Sequence, residues 1–223
     1  LDELESLIIK VNLFGFHFAS LDIRQNSKIH DAVFKDIYDF YIKSNESVFP
    51  KNYYDLSEQD KFEVLSNVKG ALNPDDFENE ITRLTIESIQ AIKVIQGNNG
   101  ELGANRYIIS NNENALNVME TFALIRLSDW ENPTVDVVPL FESVDDLLNA
   151  HNVMEQLYTN PVYANHLVNR EMKQTIMLGF SDGTKDGGYL MANWSIYKAK
   201  EELTAISRKY GIKVIFFDGR GGP

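Results

Sequence analysis

Glu142 and Asp182 are each the first acid beyond an apolar run, "TVDVVPLF" (134–141) and "KQTIMLGF" (173–180). If both runs are strands pointing the same way, the two carboxylates emerge at a common end. At about 5 Å they would repel by roughly 3 kcal/mol at an effective dielectric of about 20. A divalent cation removes that repulsion, and hard oxygen ligands without Cys or His beside them favour Mg²⁺ or Mn²⁺ over zinc. The competing reading is that one acid caps a helix and the other solvates a loop. Lys185 follows Asp182 by three residues, so one turn can present both; otherwise it is a solvated loop lysine. Arg220 and Gly221 lie in "GRGG". There glycine lets backbone N–H groups approach an anion, and arginine offers a bidentate fork for phosphate or carboxylate. Plain turn chemistry is the alternative. Arg24 closes an apolar strand and serves either a salt bridge to Asp22 or an anionic substrate.

These residues need elements to position them, and the chain supplies an alternating rhythm. Apolar periodicity predicts helices over 2–14, 28–43, 77–96 (stopped by Gly97), 113–127, 144–158, 161–170 and 187–210. Strands are predicted at 16–23, 106–110, 134–141, 173–180 and 212–217. Ser143 with Asp146 reads as a capping box. Residues 44–76 are polar, broken by Pro50, Gly70 and Pro74, and read as an excursion with one short helix near 57–66. The whole of 1–223 reads as one domain. Strands joined through helices are parallel, and their continuous apolar runs suit burial on both faces. The fold class is therefore helix-rich α/β, either a doubly wound sheet or part of a (β/α)8 barrel. In both, the polar residues after each strand share one face: Arg24, then Ser110 to Asn112, Glu142, Asp182 with Lys185, and Asp218 with Arg220.

Composition narrows the partners. Twenty-one Lys and Arg against 33 Asp and Glu give a net charge of −12. That disfavours nucleic acid and acidic membrane surfaces, which need basic patches, but allows a small anion held by a few local cations. There is no cysteine, so neither disulfides nor thiolate metal sites arise, which fits a reducing cytoplasm. No apolar run approaches ~18 residues. The start lacks both an initiator Met and the pattern of a signal peptide, and the end falls inside a glycine-rich loop. The chain thus reads as an internal piece of a longer protein. His17, His30, His151 and His166 fall at strand-start or helix positions and read as structural or exposed. Trp194 and Tyr197 read as packing, and Asn111 or Asn112 as a helix cap.

The segments "LDIRQNS", "YIISN", "VVPLFESVDDL", "LGFSDGTKDGGYLMANW" and "FFDGRGG" occur in an order and spacing that resembles phosphoenolpyruvate carboxylase across the whole chain. The resemblance implies several strands of a (β/α)8-type barrel embedded in helices. It also implies carboxylation of phosphoenolpyruvate by bicarbonate to oxaloacetate and phosphate, through carboxyphosphate and an enolate, with Mg²⁺ or Mn²⁺. By the same resemblance Glu142 and Asp182 are metal ligands, and Lys185 and Arg220 stand at the reaction centre. Arg24, Arg220 and Gly221 hold substrate. A homo-oligomer is expected, and the isolated chain is expected to self-associate and to lack turnover, since the family's catalytic histidine would precede Leu1. One departure matters: where many members carry His this chain has Asp218, so no imidazole stands at that position. Two alternatives stay open, another Mg²⁺- or Mn²⁺-dependent phosphoenolpyruvate or pyruvate barrel enzyme, and a non-catalytic interaction domain.

Overall fold

The computed structural model describes residues 2–44, 46 and 48–219; of residues 181–183, 186 and 187 it describes the backbone alone. Five strands lie in one sheet: β1 (Asp22–Asn26), β2 (Arg106–Ser110), β3 (Asp136–Phe141), β4 (Lys173–Gly179) and β5 (Lys213–Gly219). Every neighbouring pair is parallel, and the spatial order equals the chain order, β1-β2-β3-β4-β5. That order decides between the two architectures. A doubly wound sheet reverses direction midway so that helices cover both faces. Sequential right-handed crossovers keep every helix on one side and roll the sheet. The fold is helix-rich α/β, part of a barrel, with β1 and β5 as its two open edges among the described residues.

The helices are α1 (Asp2–Phe14), α2 (Ser27–Ser44), α3 (Glu58–Asn67), α4 (Glu80–Asn99), α5 (Ala115–Leu127), α6 (Val144–Thr159), α7 (Pro161–Asn169) and α8 (Ser181–Lys209). Two 3-10 turns, Tyr53–Asp55 and Pro74–Asp76, flank α3 in the excursion after α2. The side-chain alternation of a strand sorts the sheet into two faces. Tyr107, Ile109, Val137, Phe141, Ile176 and Leu178 pack outward with α2, α5 and α6 in the main core. Ile108, Val138 and Leu140 form a separate inner cluster with Met177 and Phe217. The registers Arg24↔Ile108, Leu140↔Met177 and Met177↔Phe217 therefore place Arg24 in the inward row.

Three predicted boundaries shift, each for a local reason. The strand expected at 16–23 begins only at Asp22. Gly15 and Phe18 take left-handed backbone (φ 48° and 61°), and Phe16 and Phe18 remain exposed, so this apolar stretch has no sheet to join. Helix α4 runs through Gly97 and ends at Gly100, whose φ of 88° an L-side chain would resist. Helix α8 starts at Ser181 instead of 187 and is broken at Gly188 (φ 76°, ψ 168°). The "SDGTKDG" stretch is thus a helical segment set off from the long helix that follows.

Two side-chain expectations also fail. Trp194 and Tyr197 stack on each other, with centroids 5.7 Å apart, but both are more than half exposed rather than packed. The cap of α5 is Asn114, whose side chain accepts from the Asn117 N–H at 3.0 Å, so neither Asn111 nor Asn112 fills that role. The buried histidines are structural, as expected. His30 lies between the Tyr107 hydroxyl and the Thr121 hydroxyl, both at 2.9 Å. Thr121 spends its own proton on the Asn117 carbonyl, so His30 Nδ1–H donates to Thr121 and Nε2 accepts from Tyr107.

Candidate active site

The inner rim at the carboxyl ends of the strands is where the chemistry-bearing residues were expected. Glu142 follows β3 directly, and its turn is locked by the capping box. Ser143 Oγ accepts from the Asp146 N–H at 3.0 Å, and Asp146 Oδ2 accepts from the Ser143 N–H at 3.0 Å. Such a cap is worth about 1 kcal/mol and leaves the Glu142 side chain on the inward row. Arg24 reaches across from β1, and its Nη2 donates to Glu142 Oε1 at 3.0 Å. This corrects the expected partner. Asp22 instead takes Arg106, its register partner on β2, at 2.7 Å. Arg24, one inward position further along β1, is left for the rim.

The second oxygen of Glu142 is held by a residue that sequence reasoning missed. Asn111 N–H donates to Glu142 Oε2 at 2.8 Å. It does so from left-handed backbone, φ 54°, a conformation asparagine tolerates better than most residues. Ser27, buried at the start of α2, anchors this turn: its hydroxyl donates to the Asn111 carbonyl at 2.6 Å and accepts from Asn111 Nδ2 at 3.3 Å. The signal available in the sequence was the run "SNNEN" directly after a strand, which marks a turn able to leave the right-handed region. Glu142 is thus oriented by three elements: β1 through Arg24, the β2 turn through Asn111, and its own capped turn.

Glycine clears the space beside it. A Cβ at Gly179, the last residue of β4, would lie 3.2 Å from both Cα and Cγ of Glu142. One at Gly219, its register partner on β5, would lie 2.9 Å from Met177 Cε. The Phe180 N–H donates to the Gly219 carbonyl at 3.2 Å, so the ends of β4 and β5 are tied together. Position 182 lies in the first turn of α8, two residues beyond that tie, but its side chain is not among those described. Lys185 is exposed on the next turn of the same segment. Arg220 and Gly221 lie outside the described residues. Among the described residues, no three His, Cys, Asp or Glu side chains cluster as a metal site. The rim therefore joins Arg24 and Glu142 directly, and Gly179, three residues before position 182, lies against Glu142. Asp218 sits on the outward row of β5 with Phe216. There it pairs with Lys200 of α8 at 2.7 Å, away from the inner rim.

A family model for phosphoenolpyruvate carboxylase matches residues 1–223. The chain belongs to the phosphoenolpyruvate carboxylase family. The phosphoenolpyruvate carboxylase of Nitrosomonas eutropha is 35% identical over 223 residues, covering 95% of this chain and 23% of that protein. That of Gloeobacter violaceus is 36% identical over 228 residues, covering 98% of this chain and 24% of that protein. The chain thus spans about a quarter of the length of the curated relatives it matches. Asp218 stands where the sequence resemblance led to the expectation of a histidine. Its pairing with Lys200 gives it an electrostatic role on the outer face of this sheet.

Proposed function

We propose that this chain supplies part of the reaction centre of an enzyme that carboxylates phosphoenolpyruvate with bicarbonate, giving oxaloacetate and phosphate. One observation carries the reading. In a chain matched along its whole length by the carboxylase family, Arg24 and Glu142 meet at 3.0 Å on the inner rim. By resemblance, one is an anion holder and the other a cation ligand.

The donor set fits Mg²⁺ or Mn²⁺. Glu142 offers hard carboxylate oxygens, and the glycines at 179 and 219 keep the space beside it free of side chains. Glu142 and Asp182 would hold the ion, with water and substrate oxygens completing its shell. When bound, it supplies Lewis-acid charge to the enol oxygen. Arg24, together with Arg220 and the Gly221 N–H, neutralises the phosphoryl and carboxylate oxygens. A bicarbonate oxygen attacks phosphorus, the bond from phosphorus to the enol oxygen breaks, and carboxyphosphate forms. Carboxyphosphate releases CO₂ to leave phosphate, and the enolate carbon captures the CO₂. Lys185 adds positive charge near this centre. Water must be kept out, because protonation of the enolate gives pyruvate instead. The same reading carries a cytoplasmic location and a homo-oligomer.

The test uses the intact protein of which this sequence forms part. Phosphate release from phosphoenolpyruvate should require both bicarbonate and Mg²⁺ or Mn²⁺, and oxaloacetate should appear in equal amount. Phosphate release indifferent to bicarbonate, with pyruvate as the product, would assign the rim to another enzyme class.

A further inference from the structure

Each oxygen of Glu142 already accepts one hydrogen bond. Arg24 holds Oε1 at 3.0 Å and the Asn111 N–H holds Oε2 at 2.8 Å. The two donors differ in how firmly they are fixed. The Asn111 N–H belongs to backbone pinned by the buried Ser27 hydroxyl. Arg24 is a long side chain whose surface is half exposed, against 19% for Glu142. Of the two donors, Arg24 is therefore the one that a cation approaching Glu142 displaces more readily.

We infer that Arg24 is a resident counter-ion of Glu142 that exchanges with the divalent cation. This inference rests on the proposed role of Glu142 as a metal ligand. In the metal-free protein Arg24 neutralises Glu142 and spends its own charge on it. When the cation takes Oε1, Arg24 loses its partner and is repelled by the incoming charge. Its fork then becomes available to a phosphate or carboxylate on the same rim. Oε2 stays with Asn111 throughout, so the carboxylate keeps its orientation and offers one oxygen. Cation binding and the readiness of Arg24 for an anion become a single event. By linkage, each ligand then strengthens the other by the same factor.

The experiment measures Mn²⁺ binding to the intact protein without substrate, following free Mn²⁺ by electron paramagnetic resonance. The variants are Arg24→Gln, Arg24→Lys and Glu142→Gln. Exchange predicts that Arg24→Gln binds Mn²⁺ about threefold to tenfold more tightly than wild type, as expected for removing a half-exposed ion pair and its charge. Arg24→Lys, which keeps the charge but loses the fork, should fall between them. An arginine that only holds substrate would leave metal affinity in the absence of substrate unchanged. If Glu142→Gln abolishes Mn²⁺ binding while neither Arg24 variant tightens it, the exchange is overturned and the metal assignment stands. If Glu142→Gln binds Mn²⁺ as wild type does, the metal assignment itself fails and the exchange falls with it.

Discussion

At the scale of single residues, the account turns on how Glu142 is held. Its carboxylate is fixed by the Asn111 N–H, which Ser27 fixes in turn. Replacing Glu142 by Gln in the intact protein should lower metal-dependent carboxylation by about a hundredfold or more, since it removes a ligand charge outright. Circular dichroism should be unchanged, because Glu142 contributes nothing to the main core. Ser27→Ala acts one step further out. It frees the Asn111 turn and should weaken Mn²⁺ binding about tenfold, the size usual for groups that orient a metal ligand. That Glu142 and Arg24 lie on one rim was legible from their positions at the ends of apolar runs. The partner of Arg24 was not, because Asp22 and Arg24 share the inward row and only the register shows that Arg106 claims Asp22. Asn111 was missed because its contribution is a backbone N–H, and no side-chain pattern advertises that.

Elements carry a second set of consequences, two of them dependent on pH. His30 joins α2 to β2 and α5 as a neutral ring, and burial lowers its pKa to about 4. A folded pKa below the unfolded value of a histidine means the contribution is complete above the unfolded pKa. It is lost as pH falls toward the folded pKa. Between pH 7 and pH 5 that loss is about 2 kcal/mol. The stability difference between those pH values, read from urea midpoints, should shift by that amount in His30→Gln. Glu120 on α5 behaves in the opposite sense. Burial, then a hydrogen bond to Asp31 and its charge, raise its pKa to about 8, with Lys61 of α3 opposing. Stability from the protonated pair is complete below the unfolded pKa of a glutamate and is lost as pH rises toward 8. Glu120→Gln should therefore remove a loss of thermal stability that wild type shows between pH 6 and pH 9. An unchanged slope over that range would contradict the pairing.

Element identity was largely readable because apolar period and caps agree, as at Ser143 and Asp146, where the expected box is present. The failures lie where local pattern and tertiary context part. Phe16 to Ser20 looks like a strand but, among the described residues, joins no sheet. Trp194 and Tyr197 look like packing but face outward. Gly188 breaks α8 where an uninterrupted helix from 187 was expected. A hydrophobic period states that a face is apolar and is silent on what covers it.

For the whole molecule, that uncovered surface is the main feature. None of α1 is buried, and Leu4, Leu7, Ile8 and Val11 are each more than half exposed. Tyr189, Leu190 and Trp194 form a second exposed apolar stretch on α8. Among the described residues, strands β1 and β5 are open sheet edges. Apolar faces and unpaired edges of this kind drive association. The 223-residue chain expressed alone should therefore run as a dimer or larger species in light scattering, its mass falling on dilution. A monomer held to high concentration would contradict this. Alternation of strands and helices made the fold class legible, yet two architectures fitted it equally. What separates them is the strand order, a relation between elements far apart in the chain.

The central claim is that the rim carrying Arg24 and Glu142 is a divalent-cation centre shared with Asp182. Anomalous diffraction from crystals of the intact protein grown with Mn²⁺ addresses it most directly. The account predicts one strong peak coordinated by oxygens of Glu142 and Asp182, with the Arg24 guanidinium no longer on Glu142. A peak elsewhere in the fold, or Mn²⁺ bound while the Arg24–Glu142 pair remains intact and uncoordinated, would contradict it.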